Sequence, residues 1–396
     1  MKILLLTSVN HPQIRFEAEM LRKFFEVDYV ALNNLNLRSK DAFITFLKIF
    51  PKIFVALFCL RFPPIPSISF LNNLLIAGYL IGNKKILKEK YDVIYAHWLF
   101  PAGFLGLILS KILGIKVISA VWGYDIQVVQ GVKNYGIRGS LRILSKNVIK
   151  KSDLVIVNHR VHKRIAEELL GGHSNNIVYI PPAIPDISAG VKGELTEELK
   201  EKLSSLNAIV KLKENHIILY SPALKPIYGI MEFVKAIPEV LSKVDNCIFI
   251  IVGEGELKDR VINYIKEMKL DDKVLFLGRV SHESMKILYK ISTIVCDLAY
   301  PGTGTTTLEA FCFGKPVIGI NTPKSVIKHG ENGFLIKRGD YCSLANYVVK
   351  ILKDQSLREK LSRNARDIFK KIFNMKNRMR KLLKLFLLLM EKEISK

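Results

Sequence analysis

The sequence predicts an α/β protein of two domains, each built around a doubly wound parallel sheet. Short apolar runs alternate with amphipathic helical segments from residue 1 to about 182, and the alternation restarts near residue 214. Strand–helix alternation of this kind is typical of parallel strands joined by crossover helices. The 396 residues are too many for one ordinary hydrophobic core and enough for two.

Six strand candidates fall in each half of the chain. Each is a short apolar run bounded by polar or turn-forming residues, which is typical of a strand buried in a parallel sheet. Helical segments separate them, among them 15–25, 102–113 and 305–313. The candidates are 2–7, 27–32, 91–97, 116–122, 153–158 and 177–181 in the first half, and 217–221, 247–252, 274–280, 292–298, 316–320 and 333–336 in the second.

A proline-rich and then polar segment divides the two halves. Pro181, Pro182 and Pro185 precede a stretch rich in Gly, Ser, Glu and Lys, a composition that favours a hinge. Open α/β sheets bind ligands beyond the carboxyl ends of their strands, so two such domains are expected to face a deep cleft. The predicted segments are a Rossmann-like domain over 1–183, a linker over 184–213, a Rossmann-like domain over 214–370, and a basic amphipathic helix over 371–396 that packs on the first domain.

The net charge of +24 is concentrated in the first half of the chain and in its tail. Residues 1–183 carry a net charge of +13 and residues 371–396 one of +6, whereas 184–370 carry +5. Such a surface favours nucleic acid or an anionic membrane as partner. Nucleic-acid-binding motifs do not occur, and the basic residues alternate with aliphatic rather than stacking aromatic residues. We therefore predict that the chain binds an anionic membrane surface and does not bind nucleic acid.

Cysteine usage and the N-terminus predict a cytoplasmic protein. The five cysteines are scattered and form no Cys-x-x-Cys pair, which favours a reducing compartment over a disulfide framework or a zinc site. The N-terminal apolar run is only four residues long and passes directly into Ser8, Asn10 and His11. It predicts a first strand and not a secretory signal.

Two apolar segments interrupt the strand–helix alternation. Segment 42–62 contains Pro51 and several cationic residues, which argues against a membrane-spanning helix. An amphipathic helix pair at a membrane interface and a buried helical hairpin are equal alternatives. Segment 376–390 has basic turns followed by an apolar run, and docking on the first domain is favoured over docking on lipid.

A glycine- and threonine-rich turn over 300–309 is the most informative stretch of the chain. It follows a strand candidate and opens a helix. Gly302 and Gly304 allow the backbone to approach a ligand closely, and the free N–H groups at a helix start with Thr305 and Thr306 form an anion site. Glu309 is expected to point to the same place. The pattern fits a nucleoside diphosphate, while an ordinary turn with threonines present only as caps is the alternative.

The same block resembles the carboxylate-bearing helix of glycosyltransferase family 4, the "glycosyl transferases group 1" of the GT-B superfamily. Segment 249–256 is similar to the Gly-x-Gly turn of that family, 274–281 to the strand and loop that cradle the nucleobase, and 329–336 to its Gly-x-Asn-Gly-Phe segment. The resemblance covers nearly the whole chain and is most specific from about 217 to 340.

This resemblance implies a GT-B fold and a retaining, metal-independent glycosyltransferase of the hexosyltransferase type. Its donor is a nucleotide sugar, which is a co-substrate, and no cofactor is expected. Glu309 is expected to hold the ribose. The donor-binding residues implied are Gly253, Gly255, Arg279, Val280, Gly302, Gly304, Thr305, Thr306 and Glu309. No Asp-x-Asp motif occurs near a strand end, so no metal ion is expected to bridge the phosphates.

The resemblance also implies that the domain over 1–183 binds the acceptor and that the domain over 214–370 binds the nucleotide sugar. In the first half, segments 92–98 and 121–126 lie where the family places its acceptor-side and donor-side loops. His97 ends one strand candidate and Asp125 follows another, and we predict both as catalytic residues. The alternatives are that His97 caps the following helix and that Asp125 only fixes its loop.

The sequence departs from the family at the positions that clamp the diphosphate. The usual Arg and Lys after the first strand of the second domain are replaced, the Lys by Tyr228. Lys225 is the nearest cation, and we predict it as a catalytic substitute. Pro301 replaces the first of two paired glutamates, and Trp122 replaces a histidine often found beside the sugar. Residues 10–13 replace a Gly-Gly loop.

The function predicted is transfer of a sugar to a membrane-associated, lipid-linked or saccharide acceptor, by a protein peripheral on the cytoplasmic face of the membrane. Three alternatives remain. They are a non-catalytic GT-B partner subunit, which the departures favour, a nucleotide-sugar epimerase, and a basic nucleic-acid-binding protein, against which the motif content argues.

Overall fold

The computed structural model describes residues 1–34, 51–57, 89–123, 125–126, 139–203, 206–300, 302 and 304–394. The chain divides into two compact units, Met1–Pro182 together with Met379–Lys396, and Ala183–Arg378. Each unit contains one six-stranded sheet whose paired strands all run parallel. The predicted α/β class with two Rossmann-like sheets is therefore confirmed.

The sheet of the first unit has the strand order β2-β1-β3-β4-β5-β6. All six predicted strands are present, with ends shifted by no more than two residues. The inner strands are mostly apolar, which fits burial on both faces, and Ile3 to Leu6 are wholly buried. The edge strand that contains Glu26 and Asp28 is only partly buried. The strands are β1 (Lys2–Thr7), β2 (Glu26–Ala31), β3 (Val93–His97), β4 (Lys116–Val121), β5 (Leu154–Val157) and β6 (Ile177–Tyr179), and the helices are α1 (Pro12–Leu21), α2 (Phe104–Leu113), α3 (Gly139–Lys151) and α4 (Arg160–Leu170).

The first helix begins earlier than the predicted 15–25. His11 is its N-cap residue, and His11 Nδ1 accepts a hydrogen bond from Gln13 N (3.3 Å). Pro12 at the first helical position has no N–H to satisfy and a backbone angle suited to a helix. The cap was missed because histidine is not among the residues that usually occupy it.

The sheet of the second unit has the order β12-β11-β10-β7-β8-β9, and again all six predicted strands are present. Its strands are β7 (His216–Tyr220), β8 (Cys247–Val252), β9 (Val274–Gly278), β10 (Ile294–Asp297), β11 (Val317–Ile320) and β12 (Gly333–Ile336). Its helices are α5 (Glu197–Lys202), α6 (Leu206–Glu214), α7 (Ile230–Leu241), α8 (Lys258–Glu267), α9 (His282–Ile291), α10 (Thr305–Cys312), α11 (Tyr341–Lys353) and α12 (Gln355–Ile368).

Segment 184–213, predicted as a linker, contributes to the second unit. Leu199 and Leu203 are buried in its core, and Glu198 accepts hydrogen bonds from Ser281 N (3.0 Å) and Ser284 Oγ (2.7 Å). The polar residues that predicted a hinge belong partly to a short surface helix, α5, which has one apolar face.

The last helix, α13 (Met375–Ile394), packs on the first unit from Met379 onward. Phe386 is buried, and its ring centroid lies 5.4 Å from that of Tyr95. Lys116 Nζ donates a hydrogen bond to Leu389 O (2.6 Å). The apolar run in the tail therefore serves partly as a protein contact.

The predicted amphipathic segment 42–62 lies mostly outside the described residues. Residues 51–57 within it are helical, with Ile53 and Ala56 buried and Phe54 and Val55 exposed. Among the helices that the structure describes, none has the length and apolarity needed to span a membrane.

The strand order of each sheet reverses at one point. In the first unit β1 has β2 on one side and β3 on the other, and in the second unit β7 has β8 on one side and β10 on the other. Ligands of open α/β sheets bind beyond the carboxyl ends of the strands at such a switch point. We therefore expect a ligand site in the turns that follow β1 and β3 in the first unit, and in the turns that follow β7 and β10 in the second.

Candidate active site

Hydrogen bonds join three turns at the carboxyl edge of the second sheet. Leu224 N donates to Glu254 O (3.1 Å) and Leu257 N donates to Leu224 O (3.0 Å), which links the turn after β7 to the turn after β8. Tyr300 N donates to Ile227 O (2.9 Å), which links the turn after β7 to the turn after β10. The predicted residues that lie on this edge are Lys225, Gly253, Gly255, Arg279, Val280, Gly302, Gly304, Thr305, Thr306 and Glu309.

Glycine is needed where these turns approach each other. Gly253 and Gly302 have φ angles of +124° and +143°, which side chains rarely permit. A Cβ added to Gly255 would overlap the carbonyl group of Leu224. The glycines thus allow the turns after β7 and β8 to pack closely, and direct contact between them and a donor stays a prediction.

The start of α10 has backbone donors and an unexpected buried acid. Gly304 is the N-cap residue and supplies no side-chain cap. Asp297, at the end of β10, is buried, and its Oδ2 accepts a hydrogen bond from Thr307 Oγ1 (2.6 Å). Backbone N–H groups of Gly304 and Thr307 also bond this carboxylate, whose pKa is raised by burial. Sequence reasoning missed Asp297, although an acid that ends a strand before a glycine-rich turn is a usable signal.

The hydrogen bonds to Asp297 do not use all the backbone N–H groups at the start of α10. Thr305 is exposed and Thr306 is partly exposed. Within the described part of the chain, no side chain accepts a hydrogen bond from their backbone N–H groups. These N–H groups and the positive end of the helix dipole favour an anion. The anion site predicted from the sequence at this helix start stays a prediction.

Glu309 lies in a short chain of hydrogen bonds. Glu309 Oε2 accepts a hydrogen bond from the hydroxyl of Tyr289 (2.9 Å), which lies 3.2 Å from Ser221 Oγ at the end of β7. Burial raises the pKa of Glu309, and burial beside this carboxylate raises the pKa of Tyr289 well above its usual value. Tyr289 therefore remains protonated and orients Glu309. Sequence reasoning missed Tyr289, since nothing in an amphipathic helix marks one buried tyrosine.

Lys225 and Arg279 are both exposed, and neither forms an ion pair with another described residue. Their charges are therefore available to a phosphate group. Val280 is partly buried against the core of the second unit, so it has a packing role. The catalytic role of Lys225 and the donor-binding roles of Arg279 and Val280 stay predictions.

His97 in the first unit is part of a buried polar chain. Its Nδ1 accepts a hydrogen bond from Trp122 Nε1 (2.9 Å), and its Nε2 lies 3.7 Å from Glu17 Oε1. Glu17, buried on α1, accepts a hydrogen bond from the Tyr95 hydroxyl (2.7 Å). Because the indole N–H only donates, Nδ1 is the acceptor, and a neutral His97 carries its proton on Nε2 toward Glu17. His97 does not cap α2, whose N-cap residue is Gly103.

Asp125 joins the loops after β3 and β4. It is buried, and its carboxylate accepts hydrogen bonds from the backbone N–H groups of Leu99 (3.0 Å), Trp122 (2.9 Å) and Ile126 (3.2 Å). Burial raises the pKa of Asp125 to about 6, although these hydrogen bonds oppose the shift. These contacts are the ones expected if Asp125 fixes its loop, which was the alternative considered from the sequence. A catalytic role for Asp125 stays a prediction.

The raised pKa of Asp125 predicts a pH-dependent stability of the first unit. Between pH 3.8 and about 6 the folded chain keeps a proton that the unfolded chain has lost, so stability falls as pH rises through this interval. The expected loss is ~3 kcal/mol relative to Asp125→Asn. Urea unfolding followed by tryptophan fluorescence measures it, because both tryptophans lie in the first unit. Equal pH slopes for the two proteins would contradict the assignment.

Pro301 and Thr303, in the glycine-rich turn, and Tyr124, beside Asp125, lie outside the described residues. Within the described ranges, no group of three or more His, Cys, Asp and Glu side chains is arranged to hold a metal ion.

Comparison with protein families agrees with this architecture. Residues 18–186 match the family model described as Glycosyltransferase Family 4, and residues 204–368 match Glycosyl transferases group 1. Together the two matches cover most of the chain. The chain belongs to glycosyltransferase family 4 of the GT-B superfamily, which confirms the resemblance found in the sequence, and glycosyl transfer is the activity this supports.

Individual relatives are distant and span most of the chain. It is 28% identical over 320 residues to the UDP-Gal:α-D-GlcNAc-diphosphoundecaprenol α-1,3-galactosyltransferase of Escherichia coli, with 78% of each protein covered. It is 25% identical over 286 residues to the N-acetyl-α-D-glucosaminyl L-malate synthase of Bacillus anthracis, covering 71% of this chain and 70% of that one. The crystal structure of Anabaena Alr3699/HepE in complex with UDP is similar in fold, with a TM-score of 0.68, 17% identity, and 98% and 99% coverage.

Proposed function

We propose that the chain is a retaining hexosyltransferase that moves a sugar from a nucleoside diphosphate to a hydroxyl of a saccharide or lipid-linked acceptor. The observation that carries the proposal is the start of α10, where the N–H groups of Thr305 and Thr306 lie beside the switch point of the second sheet. A diphosphate bound there gains hydrogen bonds and the favourable end of the helix dipole. Glu309 would then accept hydrogen bonds from the ribose.

In the proposed reaction, the bond between the anomeric carbon and the diphosphate oxygen breaks. A bond to the acceptor oxygen forms on the same face of the sugar. Negative charge collects on the departing diphosphate, and the start of α10, Lys225 and Arg279 stabilise that charge electrostatically. The acceptor proton passes to an oxygen of the leaving phosphate, so no strong protein base is needed. The counter-charge comes from the protein, and we propose that no divalent metal ion is required.

A uridine nucleotide is the first donor to consider. The E. coli relative is named for a UDP-galactose donor, and HepE was solved with UDP and with UDP-glucose. The acceptor of the E. coli relative is a diphosphoundecaprenol-linked sugar, which supports a lipid-linked acceptor here. The net charge of +24 supports a peripheral position on an anionic membrane surface, and we propose its cytoplasmic face.

Calorimetry of the full chain with UDP, GDP, ADP and dTDP, each with EDTA and with magnesium, tests the donor side. We expect one diphosphate to bind, with affinities that agree within about twofold between the two conditions, since a metal-dependent site differs by far more. Binding only with magnesium would overturn the metal-independent mechanism.

A non-catalytic partner subunit is the second candidate function. Pro301 in place of a glutamate, and Tyr228 in place of a lysine, are the observations that favour it. If the chain is a partner subunit, none of UDP, GDP, ADP and dTDP should bind, either with EDTA or with magnesium. That result would overturn the proposed enzyme activity in favour of the partner subunit.

A further inference from the structure

A cavity of about 530 Å³ opens at the amino edge of the second sheet, the edge opposite to the one that carries the predicted donor-binding residues. Three adjacent strands begin there: His216 is the first residue of β7, Thr293 precedes β10, and Lys315 lies just before β11. The facing wall comes from one side of α12, where Arg358 and Ser362 are four residues apart. The volume is within the range of sites that bind small molecules.

The cavity is lined by more positive than negative charge. Lys315, Arg358 and Arg363 line it together with one acid, Glu359. Glu359 lies 4.0 Å from Arg363 and accepts a hydrogen bond from Gln355 Nε2 (3.0 Å). Within the part of the chain that the structure describes, neither Lys315 nor Arg358 forms an ion pair. Two positive charges of the cavity are therefore left without a partner acid.

Lys315 is the residue that this environment perturbs most. It is partly buried, and its amine forms no hydrogen bond with any residue that the structure describes. Burial, and then the neighbouring charge of Lys290, lower the pKa of Lys315 to about 8. An anion in the cavity would supply the missing counter-charge and return this pKa toward its usual range.

The helix ends at this edge do not oppose an anion as strongly as their dipoles suggest. Helices α9, α10 and α11 end here, and free carbonyl groups at a helix end repel negative charge. One carbonyl oxygen at the end of each helix already accepts a hydrogen bond: Leu288 O from Ser292 N (3.0 Å), Ala310 O from Lys315 N (2.9 Å) and Leu352 O from Arg358 Nη1 (2.9 Å). The Lys315 amine and the Ser362 hydroxyl have no such partner among the described residues, so both can bind a ligand.

We propose that this cavity binds a phosphate-bearing small molecule, with Lys315 and Arg358 pairing with the phosphate and Ser362 donating a hydrogen bond to it. A phosphate group offers two negative charges and three acceptor oxygens, which match a lysine, an arginine and a hydroxyl. The site is separate from the proposed donor site, because α10 begins there with Thr305 and ends before Lys315. The proposal goes beyond sugar transfer and does not depend on it.

Competitive acetylation of the full chain tests the site. Trace acetic anhydride is added at pH 8 with inorganic phosphate, glycerol 3-phosphate or glucose 1-phosphate, and mass spectrometry of the peptides measures each lysine. Glycerol, and acetate at matched ionic strength, are the controls. We expect at least one phosphate compound to lower acetylation of Lys315 about fivefold or more, because a raised pKa leaves less of the reactive neutral amine.

Two other lysines in the same digest locate the binding. Lys225, exposed at the carboxyl edge, reports phosphate bound at the proposed donor site. Lys360 is exposed on α12 and does not line the cavity, so its acetylation should not change. Protection of Lys315 that saturates separately from that of Lys225 would support a second site.

Calorimetry with the phosphate compound that protects Lys315 best measures the affinity. Lys315→Gln is expected to weaken binding about 10- to 100-fold, since it removes a hydrogen bond between charged groups. Ser362→Ala removes only a hydroxyl and is expected to cost about 2- to 10-fold. Lys360→Gln removes the same charge as Lys315→Gln from outside the cavity and should bind like the wild type. Circular dichroism of each variant checks the fold.

The pH dependence of binding is a second readout of Lys315. A phosphate ester keeps both negative charges above pH 8, whereas free Lys315 loses its proton as pH rises through about 8. Affinity is therefore expected to fall between pH 8 and 9.5 in the wild type and to fall less in Lys315→Gln. The charged and titratable groups that line the cavity, or the smaller one beside it, with Lys315 are His216 on β7, Lys290 on α9, Cys312 on α10, and Arg358, Glu359, Arg363 and Arg366 on α12.

Three results would overturn the proposal. The first is that no phosphate compound protects Lys315 more than acetate does. The second is that Lys315→Gln and Lys360→Gln weaken binding equally, which would indicate attraction to the overall positive charge. The third is protection of Lys225 with no change at Lys315, which would place all phosphate binding at the carboxyl edge.

Discussion

Glu309→Ala is expected to weaken binding of the donor diphosphate about 10- to 100-fold. One carboxylate oxygen of Glu309 accepts a hydrogen bond from Tyr289 (2.9 Å), and the other accepts none from the described residues. That second oxygen is the one proposed to accept hydrogen bonds from the ribose. Hydrogen bonds to charged groups contribute ~1.5–3 kcal/mol, which sets the expected range. Calorimetry with the diphosphate that binds the wild type most tightly measures the effect.

Two matched variants make this result specific. Glu283→Ala changes a glutamate of the same unit whose side chain is 72% exposed and paired with Lys286 at the surface, so diphosphate affinity should not change. Tyr289→Phe leaves the Glu309 carboxylate and removes the hydroxyl that orients it, so we expect a smaller loss, about threefold to tenfold. Wild-type affinity in Glu309→Ala would show that the ribose is held elsewhere.

Asp297→Ala is expected to destabilise the second unit by ~2–4 kcal/mol. The buried carboxylate accepts hydrogen bonds from Thr307 Oγ1 (2.6 Å) and from backbone N–H groups of Gly304 and Thr307. Removing it takes the acceptor from the hydroxyl and the backbone N–H of the buried Thr307, and each buried donor left unsatisfied costs ~1–3 kcal/mol. Thr307→Val removes only the hydroxyl and is expected to cost ~1 kcal/mol. Urea unfolding measures both variants.

Because of where the tryptophans lie, this experiment can distinguish unfolding of the first unit from unfolding of the second. Tryptophan fluorescence reports unfolding of the first unit, because both tryptophans belong to it, whereas circular dichroism follows helices of both units. We expect Asp297→Ala to lower the urea midpoint seen by circular dichroism and to leave the fluorescence midpoint unchanged. Equal shifts of the two midpoints would show that the units unfold together, and no shift would show that Asp297 does not hold α10.

The sheets could be predicted almost completely from the sequence. Runs such as 247–252 are apolar throughout, since a central parallel strand is covered on both faces, and β8 spans Cys247–Val252. Helix starts were less accurate where an unusual residue caps them, as His11 does for α1. Segment 184–213 was predicted as a linker, because its few buried residues, such as Leu199, are diluted by exposed Glu and Lys.

The site could be predicted where function requires a local motif. The turn that contains Gly302, Gly304 and Thr305 is contiguous in sequence and precedes α10 as expected. The supporting groups could not be predicted, because they come from distant elements. Tyr289 reaches Glu309 from α9, and Glu17 lies near His97 from α1. Each is a single polar residue on the buried face of a helix, and only the tertiary structure shows what it faces.

The central claim is transfer of a sugar from a nucleotide to an acceptor with retention. It is tested most directly by proton NMR of a reaction containing the purified chain, the α-linked nucleotide sugar of the diphosphate that binds, and a glycoside acceptor, with EDTA. We predict that nucleoside diphosphate is released only when acceptor is present, and that the product carries an α-anomeric proton. A β-linked product would contradict the retaining mechanism, and release of free sugar without acceptor would indicate an epimerase or hydrolase instead.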